Sequence, residues 1–115
     1  MVEVEDIRRI ALALPRTTEA VVRDRVKFRV GRIVYLALSR DETVLGFGCR
    51  REEREGMVAA EPDKFVMPTG VDLKYHWLEA HLAALDRTEL AELITDAWTL
   101  CVPKSVAAAH LRDTT

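Results

Sequence analysis

Hydrophobic and polar positions change period several times along the chain, and each change predicts an element. Ile7, Ile10, Ala11 and Leu14 recur at i, i+3, i+4 and i+7, the apolar stripe of a helix over Val4–Leu14. Arg8 and Arg9 face away, and Pro15 stops the helix because the residue before a proline is driven out of helical geometry. Arg16–Glu19 reads as a loop. The period then drops to two. Val22, Asp24, Val26, Phe28 and Val30 alternate with Arg23, Arg25, Lys27 and Arg29, which predicts a strand with a break allowed at Asp24. Gly31-Arg32 is a tight connection, since glycine takes φ > 0 without steric cost. Ile33–Leu38 is nearly all apolar and β-rich, the pattern of a well-buried strand. Ser39–Glu42 is a polar turn, and Thr43–Cys49 returns as a third strand softened by Gly46 and Gly48.

Arg51–Ala60 reads as a helix in which Arg51 and Glu55 pair at i, i+4, and Pro62-Asp63 ends it. Phe65-Val66-Met67 is a short strand before Pro68, and Thr69-Gly70 is a turn. Leu73, Tyr75 and Trp77 alternate with Asp72, Lys74 and His76, which predicts another strand. The clearest element is the late helix: Asp86 caps it, Glu89 follows three residues on, and Leu90, Leu93, Ile94, Ala97, Trp98 and Cys101 form one stripe. Pro103 ends that helix, and Ala-rich Lys104–Leu111 reads as a short terminal one. This order predicts an α+β fold of two layers: an N-terminal helix, an antiparallel sheet, and C-terminal helices on one sheet face.

A chain of 115 residues, without linker or repeat, fits one domain over residues 1–115. Hydrophobic residues at 49% and charged residues at 31% exclude disorder. No run approaches about 18 apolar residues, so no membrane span is expected. Glu3, Glu5 and Asp6 precede any apolar run, unlike a signal or transit peptide. Cys49 and Cys101 lie far apart with no C-x-x-C, so reduced thiols in the cytoplasm are expected.

Catalytic patterns are absent. Ser39 and Ser105 lack a Gly-x-Ser-x-Gly context. His76 and His81 are five apart, which does not put them on one helix face, and His110 stands alone; all three read as surface or interface histidines. Gly46 and Gly48 make only a fragment of a phosphate loop, and Glu52-Glu53 belongs to an alternating charge run on a solvated helix face. No catalytic residue, metal or cofactor is predicted. Phe28, Tyr35, Phe47, Phe65, Tyr75, Trp77 and Trp98 fall mostly on apolar phases, which predicts core burial and no stacking platform for single strands.

One feature stands above this background. Formal net charge is −2, from 17 Lys+Arg against 19 Asp+Glu, yet Arg23–Arg32 holds five basic residues and one acid. On a continuous strand Arg23, Arg25, Lys27 and Arg29 share a face. Like charges side by side repel, so such a face needs solvent, nearby acids or an anionic partner. It reads either as a phosphate-binding ribbon or as a solvated or edge face guarded against aggregation. Arg32 adjoins it, and Arg50, Arg51 and Arg54 extend it if the third strand ends nearby, a placement the sequence does not give.

Five segments together resemble the MmcQ/YjbR-like family of small bacterial proteins. They are Ile10–Pro15 with Thr18-Glu19; Lys27–Arg32 leading into Ile33–Leu38; Glu61–Phe65 followed by Pro68; Lys74-Tyr75-His76-Trp77; and Glu89–Trp98 with Val102-Pro103-Lys104. The resemblance implies a CyaY-like domain described as a double wing, with β-hairpins as wings, and a DNA-binding label without catalytic residues. Two departures are visible: many relatives carry a basic residue where this chain has Gly46-Phe47-Gly48, and the Val30-Gly31-Arg32 hairpin is a residue shorter. The fold also resembles frataxins, but Glu3, Glu5 and Asp6 are followed at once by Arg8 and Arg9, so iron binding is not carried over. The expectation is a non-enzymatic protein that contacts DNA phosphates through Arg23, Arg25, Lys27, Arg29 and Arg32, with Arg50 and Arg51 added, and without sequence readout. The alternatives are a protein-interaction module, such as a homodimer joined through a strand edge or the Trp77 region, and a small anion- or ligand-binding domain on the same basic face.

Overall fold

The computed structural model describes residues 1–113. Helix α1 (Val4–Leu12) leads into strands β1 (Thr17–Val22), β2 (Arg25–Val30), β3 (Ile33–Leu38) and β4 (Val44–Gly48). Helix α2 (Arg51–Ala60), the short strand β5 (Phe65–Val66), a 3₁₀ turn (Gly70–Lys74) and β6 (Trp77–His81) follow. Helices α3 (Arg87–Thr99) and α4 (Lys104–Asp113) complete the chain. The strands form one six-stranded antiparallel sheet in the order β1-β2-β3-β4-β6-β5. This is the predicted two-layer α+β arrangement.

Alternation sorts the sheet into two unlike faces. Phe28, Leu36, Phe47, Leu45, Leu78, Ala80 and Phe65 come into line across paired strands and are buried. Against this face pack α1 and α3, through Ile7, Ala11, Leu90, Ile94, Ala97 and Trp98. Two polar links fix the helices in place. The buried Trp98 indole N–H donates to the Pro15 carbonyl at 2.9 Å, and the Arg8 guanidinium makes two 2.8 Å bonds to Glu19 on β1. Asp6, buried at the start of α1, accepts from the Glu3 backbone N–H at 2.9 Å and lies 3.2 Å from Arg87 of α3. Tyr35, also buried, shares a 2.7 Å hydrogen bond with Thr17, and burial pushes its hydroxyl up to about 12.

Three local expectations are corrected. The basic segment is not one strand from Val22 to Val30 but a hairpin: β1 ends at Val22, Arg23 and Asp24 form its two-residue turn, and β2 begins at Arg25. Both turn residues have positive φ, +53° and +65°, as a type I′ turn requires. The predicted loop at Arg16–Glu19 is the start of β1, from Thr17 onward. The strand expected over Leu73–Trp77 is a 3₁₀ turn, with β6 starting only at Trp77. Tertiary contacts override that short alternation, as described below.

Charge states give this fold an acid limb of a definite sign. Asp6 is held below the usual carboxylate range mainly by the Glu3 backbone N–H and also by Arg87 and Arg9, and Glu19 is held low by Arg8. The folded state gives up their protons more readily than the unfolded chain, so their contribution is present above the ordinary range and lost as pH falls below it. Glu79 and Asp96 are shifted the other way by burial, helped by Asp72 and Glu53 respectively. Their protonation favours the folded state. Stability therefore rises modestly as pH falls toward the ordinary carboxylate range and drops below it. Thermal melts at graded pH check this, and Glu79→Gln removes part of the rise.

Candidate nucleic-acid interface

The second sheet face carries no packed α-helix among the described residues. Arg25, Lys27 and Arg29 project from it, on the side of β2 opposite the buried Phe28. Lys27 stands beside Ala37, and Arg29 beside Val34 across a bulge in the β2–β3 pairing. Arg25 is partly committed to the fold, its Nε donating to the Leu38 carbonyl at 2.9 Å. Arg29 is exposed.

The other predicted basic residues are dispersed around this row. Arg23 sits at the tip of the β1–β2 hairpin, exposed, and not on the face of Arg25, because the turn interrupts the alternation. Arg32 lies in the two-residue turn after Gly31, whose φ of +60° is the conformation that turn needs from glycine. Arg50 and Arg51 are exposed at the start of α2.

Across the face from β2 stands the Leu73–Trp77 segment, and its placement was not anticipated. Arg54 of α2 is only 6% exposed. Its Nη1 donates to the Tyr75 and Trp77 carbonyls at 3.3 and 3.2 Å, and its Nη2 to the Leu73 carbonyl at 3.1 Å. No ion pair reaches it among the described residues, and its Nε has no hydrogen-bond partner. His76 adds two further ties. Its carbonyl accepts from the Cys49 backbone N–H at 3.0 Å, and its Nδ1 accepts from the Arg51 backbone N–H at 3.1 Å. The period of two at 73, 75 and 77 thus places carbonyls on one cation rather than side chains in a core.

Two aromatic predictions are overturned by this geometry. Phe28, Tyr35, Phe47, Phe65 and Trp98 are buried as expected. Tyr75 is 63% exposed, and Trp77 is half-buried on the sheet face opposite the α1–α3 core. Trp77 lies so close over β4 that a Cβ at Gly46 would come within 2.7 Å of its indole. Gly46 is glycine because the ring occupies the space a side chain would need.

A groove of about 380 Å³ runs between these two walls. Arg25 and Lys27 form one wall, Tyr75, His76 and Trp77 the other, over a floor that includes Val34 and Ala37. Asp72 also lines it. A second groove continues past Trp77, sharing Ile33, Val34 and His76, and reaches Arg50. The structure thus brings Arg25, Lys27 and, at one remove, Arg50 to one concave surface. None of Arg23, Arg29, Arg32 and Arg51 lines either groove.

A separate cleft between α2 and α3 holds Cys49, Glu53 and Asp96. Burial pushes the Cys49 thiol up to about 11, and Glu53 adds to the effect, so it is a protonated, weakly nucleophilic group. Cys101 is raised by burial as well, and both thiols are free. No group of three His, Cys, Asp or Glu side chains able to hold a metal ion exists among the described residues. No helix among them is long and apolar enough to cross a membrane.

The YjbR family model matches residues 12–100, from the end of α1 through α3. The chain belongs to the YjbR family. No curated protein matches it. Among solved structures, the crystal structure of a Deinococcus radiodurans protein, described as a DUF419 domain, superposes with a TM-score of 0.78. It is 23% identical and aligns over 91% of this chain and 82% of its own. At that identity the likeness speaks to the fold alone.

Arg54 had one sequence signal. It falls on the same α2 stripe as Met57 and Val58, at i, i+3 and i+4, where an apolar residue would be expected. Replacing it by Met leaves three carbonyls without their donor. Arg54→Met is expected to cost about 2–3 kcal/mol in urea unfolding, the scale of hydrogen bonds to a charged group lost from a buried site. An unchanged midpoint would show that the segment does not depend on the clamp.

Proposed function

We propose that this YjbR-family protein is a non-enzymatic binding protein that takes up DNA through phosphate contacts on the helix-free sheet face. The observation that carries the reading is the row of Arg25, Lys27 and Arg29 on that face. A run of three cations is costly for an isolated sheet to hold together, and a polyanion relieves it. Lys27 and Arg29 would make the direct contacts, with Arg25 contributing its free guanidinium nitrogens. Arg50 would extend the track through the second groove, while Arg23 and Arg32 at hairpin tips would meet a flanking phosphate. Arg51 would act through its backbone, by seating His76. Base-specific readout is not part of the proposal, since nothing in the sequence resembles a recognition helix with base-reading residues. The free thiols at Cys49 and Cys101 fit a cytoplasmic setting.

A second reading is favoured by β1. It is a six-residue edge strand, paired on one side only, with Val21 and Val22 exposed near its tip. An unguarded edge of this kind is a template for strand pairing, as in a homodimer.

The test is fluorescence anisotropy of a labelled DNA of about 20 nucleotides, single- and double-stranded, over a salt series. Affinity is expected to fall steeply with salt, by about 0.7–0.9 log units per log salt for each neutralised phosphate. Lys27→Glu with Arg29→Glu should weaken binding to either form and flatten the slope by about one to two such contacts. Neither side chain makes a hydrogen bond or ion pair among the described residues, which leaves stability intact. No binding of either form at low salt, with a mass by light scattering that grows with concentration, would remove the DNA reading in favour of edge pairing.

A further inference from the structure

We propose that the groove between β2 and the Leu73–Trp77 segment receives an unpaired base stacked on Tyr75, so that the ligand of this face is single-stranded nucleic acid. The proposal rests on the polyanion reading of the basic row and adds which form of nucleic acid the face selects.

Three observations converge on it. The first is the presentation of Tyr75. The Tyr75 ring is 63% exposed, so a large apolar surface is left in water. Here the backbone on both sides is fixed: carbonyls of Leu73, Tyr75 and Trp77 are held by buried Arg54, and His76 is held from the start of α2. The ring stands outward on a rigid mount, so little backbone ordering remains to oppose stacking.

The second is the pairing of walls. Tyr75 and Trp77 face Arg25 and Lys27 across one groove. Single-strand sites combine these same parts, an aromatic surface for the base and cations that track the backbone. Asp72 lines the groove on the aromatic side, and Glu79 lies close enough to feel both Asp72 and Arg25. Carboxylates there repel phosphate and accept hydrogen bonds from base amino groups. They orient the strand with its base toward Tyr75 and its phosphates toward Arg25 and Lys27.

The third is shape. The cations lie on the face of a six-stranded sheet, one strand in from the edge, and not on a projecting ribbon. The major groove admits a helix or two strands, so a duplex would meet this face only along one backbone. A single strand, whose bases turn outward, reaches the floor at Val34 and Ala37. The groove's 380 Å³ falls within the range of about 300–1,000 Å³ that small-ligand sites occupy, enough for a base.

The experiment compares a labelled 12-nucleotide single strand of mixed sequence with its duplex at one salt concentration, for the wild type, Tyr75→Ala, Tyr75→Phe and Lys27→Glu. The wild type is expected to prefer the single strand. Tyr75→Ala should lower single-strand affinity about 5- to 100-fold while leaving duplex affinity and the salt slope unchanged. Tyr75→Phe keeps the ring and should bind as the wild type does. Lys27→Glu should weaken both forms. Trp77 fluorescence should be quenched by the strand, against a constant background from buried Trp98. Single-strand affinity unaltered in Tyr75→Ala, or a duplex bound as tightly as the strand, overturns base stacking while leaving the phosphate reading intact if Lys27→Glu still weakens binding. Absence of binding to both forms overturns the two together. Tyr75 is exposed, so its variants fold, and a thermal melt of each confirms that lost affinity is lost contact.

Discussion

A buried guanidinium that makes no ion pair among the described residues organises the half of this molecule that α1 and α3 leave open. Helices α1 and α3 cover one side of the sheet by ordinary apolar packing. Among the described residues no helix covers the other side in this way, and the chain finishes it with the Leu73–Trp77 segment instead. Arg54 holds that segment by three carbonyls. A neutral donor set could not reach all three from one helix position, and guanidinium geometry allows it. From this clamp follow the seat of Trp77 over Gly46, the outward ring of Tyr75 and the groove between that ring and β2.

Most of the fold is legible in the sequence because long, strongly periodic elements bury their apolar side on a single surface. The α3 stripe from Leu90 to Trp98 and the apolar run of β3 are examples, and both are buried as expected. Failures cluster where local patterns are short or where turn chemistry is unusual. Arg23-Asp24 makes a type I′ turn without the asparagine or glycine that normally announces one, so the hairpin reads as one strand. Leu73, Tyr75 and Trp77 alternate over too few residues to separate a strand from a 3₁₀ turn.

The candidate site is legible only in part, for a related reason. Charge density is visible along the chain, and it marks β2 correctly as the richest basic segment. Which cations converge depends on pairings remote in sequence, so the row shrinks to Arg25, Lys27 and Arg29, with Arg50 reached through the second groove. The aromatic wall was hidden because hydrophobic character predicts burial, while Tyr75 is kept outside by bonds to its backbone rather than by its side chain. Gly46 becomes intelligible once Trp77 is seen lying on it. Family membership supplies the fold and leaves the ligand to the chemistry of this face.

Everything proposed here depends on the helix-free face being where the ligand sits. The direct measurement is a titration of the isotope-labelled protein with a short single-stranded oligonucleotide, followed by amide chemical shifts. The account predicts perturbations concentrated at Lys27, Arg29, Val34 and the Tyr75–Trp77 segment, with α1 and α3 unmoved. Shifts confined to the helices or to the β1 edge, or none at low salt, would contradict it.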